Sequence, residues 1–187
     1  MIIVGVGHKS RQGKDTFASF LMTYLRMNTK NKKIVKMGFA DPLKSICHQL
    51  YGWAGLKPKE HYDRFEDERK IELPLIGKTP VQIWIDVGNH MRIYDKDVWM
   101  RALMKGTVAD VLIVTDVRYE NEAQAIFDHN GFVVKINRPG FPGLDSITDN
   151  ALNNYTRWTE IIENDGDLSS LNDKTIKFAE KYCKGIL

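Results

Sequence analysis

The segment Gly7-His8-Lys9-Ser10-Arg11-Gln12-Gly13-Lys14-Asp15-Thr16 joins an apolar run to an amphipathic stretch, and its residue types suit the holding of a phosphate chain. Backbone N–H groups around Gly13, with the positive end of a helix opening there, would take the β-phosphate. Lys14 comes next and would reach the β and γ oxygens. The match to the Walker-A pattern G-x-x-x-x-G-K-S/T is offset, because the first glycine falls on His8, with Gly7 one residue early. Asp15 stands where that pattern has its magnesium-binding hydroxyl, and Thr16 comes one step later. Two other readings compete. Gly5-x-Gly7 could open a dinucleotide fingerprint, but its third glycine would fall on Ser10, and such a loop has no use for Gly13-Lys14. The segment could also be an ordinary basic turn before a helix. The strand–loop–helix order favours the phosphate loop.

Phosphoryl transfer on such a loop needs a further acidic group near magnesium, usually at the C-terminal end of a neighbouring strand. Val111-Leu112-Ile113-Val114-Thr115-Asp116 supplies an apolar run followed by a carboxylate. Arg118 follows, and Asn121 and Glu122 open the next helical stretch. Asp116 as that helix's N-cap is the competing reading; its occurrence alongside the phosphate loop favours the chemical role.

These residues must be positioned by regular elements, and the hydrophobic pattern indicates which. Short β-branched runs alternate with amphipathic stretches, the α/β pattern of a parallel sheet with crossover helices. Candidate strands are Met1–Val6, Ile34–Phe39, Val111–Thr115, Phe132–Ile136 and Glu160–Glu163. The first helix is expected over Lys14–Met27, with Phe17, Phe20, Leu21, Tyr24 and Leu25 on one face. The last is expected over Asp167–Cys183, with Leu168, Leu171, Ala179 and Tyr182 inward. Between the second and third strands, residues 41–110 form a charged insert with helical periodicity, longer than a crossover needs. A second excursion, 138–157, is rich in Pro, Gly, Asp and Asn and lacks periodicity, which suits a lid or binding loop. Neither reads as a separate domain, so one domain over 1–187 is expected.

Composition narrows the setting. With 43% hydrophobic and 27% charged residues, the chain reads as a soluble globular protein. A net charge of +3 suits anionic ligands but not the basic stripe of a nucleic-acid binder, so no polymeric partner is expected. No apolar run is long enough for a membrane span. The opening residues are too short for a signal peptide, and Cys47 and Cys183 have no metal-type spacing. Two reduced thiols in a cytoplasmic protein are expected, and Asn154-Tyr155-Thr156 is then no glycosylation site.

The motifs taken together carry a resemblance that spans nearly the whole chain. They are Gly13-Lys14-Asp15-Thr16, Phe39-Ala40-Asp41-Pro42-Leu43-Lys44, Lys78-Thr79-Pro80, Asp97-Val98-Trp99, Thr115-Asp116-Val117-Arg118 through Asn121-Glu122-Ala123, and Ile162-Glu163-Asn164-Asp165-Gly166. Their order resembles the phage-type deoxynucleoside monophosphate kinases. The chain departs from that pattern at His8, in place of the loop's first glycine, and at Val81, where arginine is expected. The Gly-Lys-Asp step is also similar to animal phosphomevalonate kinase, which leaves the acceptor more open than the donor. The resemblance implies a P-loop NTPase three-layer sandwich with a five-stranded parallel sheet, an acceptor-binding helical insert (41–110) and a lid (138–157).

That family reading distributes the roles. ATP would be held by His8, Lys9, Ser10, Arg11, Gln12, Gly13, Lys14, Asp15 and Thr16, with Arg138 on the base or phosphates and Asn164, Asp165 and Gly166 beside the base. Lys14, Asp15, Asp116 and Arg118 are the catalytic candidates, and Asp15, Thr16 and Asp116 the ligands for Mg²⁺. The acceptor monophosphate would meet Asp41, Lys44, Arg64, Arg69, Arg92, Trp99 and Arg118, with Tyr62, Phe65 and Trp84 available to pack on a base. Each has a plain competitor. Asp41-Pro42 could cap a helix, the arginines at 64 and 69 could be solvated surface pairs, the tryptophans could be core, and Asn164-Asp165-Gly166 could be a turn. A nucleotide-gated regulatory ATPase is the alternative of another class, but the chain carries no glutamine or arginine-finger signature for one. A phage-encoded chain would work in the host cytoplasm. The sequence leaves the oligomeric state open, a homodimer included.

Overall fold

Branched apolar residues on consecutive positions form strands covered on both faces. The computed structural model, which describes residues 1–143, 147–185 and 187, contains five of them. They are β1 (Ile2–Gly7), β2 (Ile34–Met37), β3 (Val111–Val117), β4 (Phe132–Asn137) and β5 (Glu160–Glu163). All pair in parallel, in the order β2-β3-β1-β4-β5. With β1 central, its C-terminal end carries the glycine-containing loop 8–13, between the strands β3 and β4.

Helices cover both faces. α1 (Lys14–Asn28) puts Phe17, Leu21 and Leu25 into a core shared with Val4 and Val6 of β1 and with Leu171, Phe178 and Ala179 of the C-terminal helix over Leu168–Tyr182. On the opposite face, Ile126 of the helix over Glu120–Asp128 packs so tightly on β1 that a Cβ at Gly5 would lie 2.3 Å from its Cδ1. The result is the expected three-layer α/β sandwich. Leu168 differs from expectation: it is 66% exposed. As the first residue of its helix it points back past the helix start, while Leu171, Thr175, Phe178 and Ala179 supply the buried face.

Contacts divide the chain into two compact units, Met1–Gly38 with Thr107–Leu187, and Phe39–Gly106. The second is built from α2 (Ala40–Tyr51), α3 (Lys59–Arg64), α4 (Pro80–Tyr94) and α5 (Val98–Gly106), with two short 3₁₀ turns. Its core holds Leu43, Cys47, Leu56, Tyr62, Ile83, Trp84 and Trp99. Thr79 caps α4 reciprocally with Gln82, and Pro80 opens the helix where its missing N–H costs nothing. Val81, the position of departure, packs on this core. Asp41 does not cap α2: the helix begins at Ala40 with Phe39 as N-cap, leaving Asp41 and Pro42 inside the first turn.

The remaining helices follow in the first unit: α6 (Glu120–Asp128), the single turn α7 (Ile147–Asn150) and α8 (Leu168–Tyr182). Residues 144–146 of the expected lid lie outside the described residues. Among the described residues, no helix is long and apolar enough to cross a membrane. Both thiols are buried, and burial pushes them up to about 11, so neither is poised to react.

Candidate active site

The loop after β1 is curled by two left-handed residues, Arg11 (φ 59°) and Gly13 (φ 97°). Such backbone forms the concavities that hold anions. At Gly13 both conformation and space call for glycine, because a Cβ would lie 2.5 Å from Asn164 Nδ2. That amide donates to Gln12 O at 3.0 Å, so the expected base-side residue Asn164 braces the loop from the end of β5. α1 starts at Lys14, and Phe17 N–H donates to Gly13 O at 2.9 Å.

The sequence offset at His8 has a spatial reason. A Cβ at Gly7 would meet Val117 O at 3.0 Å and the Trp158 ring at 3.1 Å, so glycine is favoured one residue before the position the Walker-A pattern expects. His8 then turns its ring inward, 6% exposed, to Asn153 Oδ1 at 3.1 Å and edge-on to Trp158. Burial, then the charges of Lys135 and Lys9, push its imidazole down to about 4, so it is neutral at pH 7.

Lys14 is 7% exposed and donates to Lys9 O across the loop. Burial first and the Arg118 charge second lower its ammonium to about 8, against Asp15, Asp149 and Asp116, which hold the proton on. It therefore sits among the groups proposed from the sequence. Asp116 stands at an irregularity between β1 and β3: Gly5 pairs with Val114 but Gly7 with Val117, so β3 carries an extra residue there. Such bulges re-aim side chains beside active sites. The Asp116 carboxylate lies against Gly38, where a Cβ would be 2.7 Å from Oδ2. It does not cap α6, whose N-cap is Tyr119. Glu122 takes the local role instead, accepting from Arg118 N–H at 2.7 Å and Tyr119 N–H at 3.1 Å.

Arg118 folds over the loop. Its Nη1 donates to His8 O at 3.0 Å and to Asp149 Oδ1, and its Nη2 to Ser10 Oγ at 3.3 Å. Gln12, 2% exposed, holds the start of the 138–157 segment at two points: it accepts from Arg138 N–H and donates to Phe141 O at 2.5 Å. The Arg138 guanidinium lies 4.1 Å from the centre of the Phe141 ring. Beside the loop is a cavity of about 450 Å³ lined by His8, Lys9, Gln12, Lys135, Arg138 and Phe141, among others. Asp15 in the first turn of α1 is exposed and Thr16 half-buried. Asp165 pairs with Lys174 at 2.6 Å, and Gly166 packs on Ser170 at the start of α8.

In the second unit the expected acceptor residues have different settings. Asp41 pairs with Lys59 at 2.7 Å. Lys44 lies 5.2 Å from the centre of the Trp84 ring, and the buried Trp84 indole N–H has no hydrogen-bond partner. Arg69 pairs with Glu66 at 2.7 Å, Arg64 is exposed at the end of α3, and Arg92 is half-buried in the last turn of α4. Trp99 is core, 3% exposed, its N–H donating to Gly88 O at 3.2 Å. Tyr62 and Trp84 pack edge-on at 5.3 Å within that core, so of the three aromatics only Phe65 is exposed.

Sequence reasoning missed Asp149, Asn153 and Lys59. Asp149 and Asn153 lie in the irregular 138–157 stretch, where no periodicity marks a side chain as inward, and Lys59 is one cation among many in the insert.

No family model matches the chain. It is similar to a protein of Acanthamoeba polyphaga mimivirus named "Putative deoxynucleotide monophosphate kinase", with 28% identity over 159 residues, or 78% of this chain and 79% of that protein. The likeness supports a kinase family for this chain.

Proposed function

We propose that the chain is an ATP-dependent kinase that passes the γ-phosphoryl group to a deoxynucleoside monophosphate, giving the diphosphate. The observation that carries this reading is Lys14, a buried lysine turned onto its own glycine-rich loop, with Asp116 and Arg118 close enough to shift its proton. A lysine so placed meets the β and γ oxygens of a nucleotide seated on the Gly13 loop and the N-terminus of α1. The cavity beside the loop, with Arg138 stacked on Phe141, offers cations and an aromatic face to the rest of the donor.

Magnesium fits the oxygen donors of this end of the sheet: Asp15, Thr16 and Asp116, whose carboxylate has the space that Gly38 leaves. Among the described residues, no group of three or more His, Cys, Asp and Glu forms a metal cluster. One or two carboxylates with substrate phosphates, the usual magnesium set, suit such a site. When bound, the ion would neutralise charge on the β and γ oxygens.

The acceptor's own phosphate oxygen attacks the γ-phosphorus while the bond to the β–γ bridging oxygen breaks, and ADP leaves. That oxygen is already anionic, so the transfer needs no strong base. Arg118 would present a guanidinium to the incoming phosphate, and the family resemblance assigns Lys44, Arg64, Arg69 and Arg92 to the acceptor as well. Lys44 is the foremost of these, because it is held over the face of the Trp84 ring. Phe65 is the exposed ring available to a base, and a phosphorylated acceptor with no planar face would leave it unused.

Calorimetry with the four deoxynucleoside monophosphates, in the presence of a nonhydrolysable ATP analogue, tests the reading. Saturable binding of at least one is expected. Binding of none, alongside turnover of mevalonate phosphate, would move the chain to that other acceptor class.

A further inference from the structure

Asp149 belongs to none of the sequence motifs, yet it is among the most buried charged groups described, at 1% exposure. Its Oδ2 accepts from Ser10 N–H at 2.9 Å, and its Oδ1 accepts from Ser10 Oγ at 2.9 Å and from Arg118 Nη1. Arg118 is thereby fixed by three acceptors in a row: His8 O, Asp149 Oδ1 and Ser10 Oγ. Space for the carboxylate is left by Gly143, where a Cβ would lie 2.9 Å from Asp149 Oδ2. A buried carboxylate is kept only where a cation and further donors satisfy it, and here the cation is the one that faces substrate in the kinase reading.

We propose that Asp149 is a positioning residue, holding the Arg118 guanidinium on the phosphate loop so that the rest of the fork meets the acceptor's phosphate. This rests on the kinase reading above. Two carboxylate oxygens accept from three donors at once. Asparagine would turn an NH₂ toward Ser10 or Arg118, and glutamate would need one more methylene where Gly143 has left little room. Because the carboxylate acts through Arg118, its removal weakens the hold on the acceptor more than the hold on ATP.

The test is steady-state kinetics of Asp149→Asn, Arg118→Ala and the double variant, with thermal unfolding to verify the fold. Asp149→Asn is expected to raise the acceptor KM about tenfold, the lower end of what loss of an orienting partner brings. The ATP KM should change by less than about threefold, and in the Arg118→Ala background Asp149→Asn should add almost nothing, as for residues acting as one unit. Equal effects in both backgrounds would mean that Asp149 does not act through Arg118, and would overturn the proposal. So would a lowered ATP KM with the acceptor KM unchanged, because the carboxylate would then be competing with phosphate for the loop. A readout independent of turnover is the ¹⁵N spectrum of the Arg118 guanidinium in the wild-type protein. Separate, slowly rotating Nη signals are expected, and one averaged signal would contradict a held guanidinium. Wild-type turnover that depends on acceptor but ignores Asp149→Asn defeats the Asp149 assignment alone; wild-type protein with no acceptor-dependent turnover defeats the kinase reading as well.

Discussion

The two units of the molecule treat charge differently. In the first, His8, Gln12, Lys14, Glu122 and Asp149 are all buried, and each has a named partner on or beside the loop after β1. In the second, none of the buried residues described is charged, and its cations are half-buried or exposed. Burying polar groups in a partnered network costs desolvation but holds geometry. On the proposed kinase reading, the contrast teaches that the donor side would be set before any ligand arrives, whereas the acceptor side would offer charges for a ligand to gather.

If that contrast is sound, the largest loss comes from the buried lysine. Lys14→Ala should lower turnover about 10²–10³-fold, or about 3–4 kcal/mol of transition-state stabilisation. It should not lower the melting temperature, because removing a charge that burial disfavours relieves a cost. Near-normal turnover of the folded variant would break the comparison at its strongest point.

Asp116→Asn should come next, with turnover falling about 10²-fold for every acceptor and a higher magnesium requirement. Arg118→Ala should instead raise mainly the acceptor KM. A magnesium titration of each variant separates the two roles, and identical signatures would merge them.

For the second unit a smaller effect is expected. Lys44→Ala should raise the acceptor KM by about tenfold, or about 1.4 kcal/mol, and leave the ATP KM unchanged, since a half-exposed cation contributes less than a buried one. A loss in turnover matching that of Lys14→Ala would show the acceptor side to be as preset as the donor side.

A separate effect is on stability. The folded His8 titrates at about 4 and an unfolded histidine near 6.5. As pH falls from about 6.5 to 4, the unfolded chain takes up a proton that the folded one resists. Stability is therefore complete above that window and drops within it, by at most about 3 kcal/mol. His8→Gln should flatten the fall in melting temperature between pH 7 and pH 5, read by scanning calorimetry.

Much of the fold was legible because its signals are local. The strands are apolar on consecutive positions and start or stop within two residues of where the sequence puts them. The positions of Gly13-Lys14 and Asp116 were legible for the same reason, one where a helix opens after an apolar strand and the other near the end of one. Long-range pairings were not. Asp149 is 139 residues from Ser10 and 31 from Arg118, and no period links them. The glycine shift from His8 to Gly7 depends on Trp158, whose approach to β1 is a tertiary matter. Trp99, placed with the acceptor residues by motif, packs in a core instead, because a tryptophan's type does not say which way it faces.

The most direct measurement is ADP release by the wild-type protein with ATP and magnesium, alone and with each of the four deoxynucleoside monophosphates, using Lys14→Ala as the control. The account predicts little ADP without acceptor, strong stimulation by at least one monophosphate, the matching diphosphate formed mole for mole, and loss of both products in the variant. ADP release that is the same with and without every monophosphate, and no diphosphate, would contradict it.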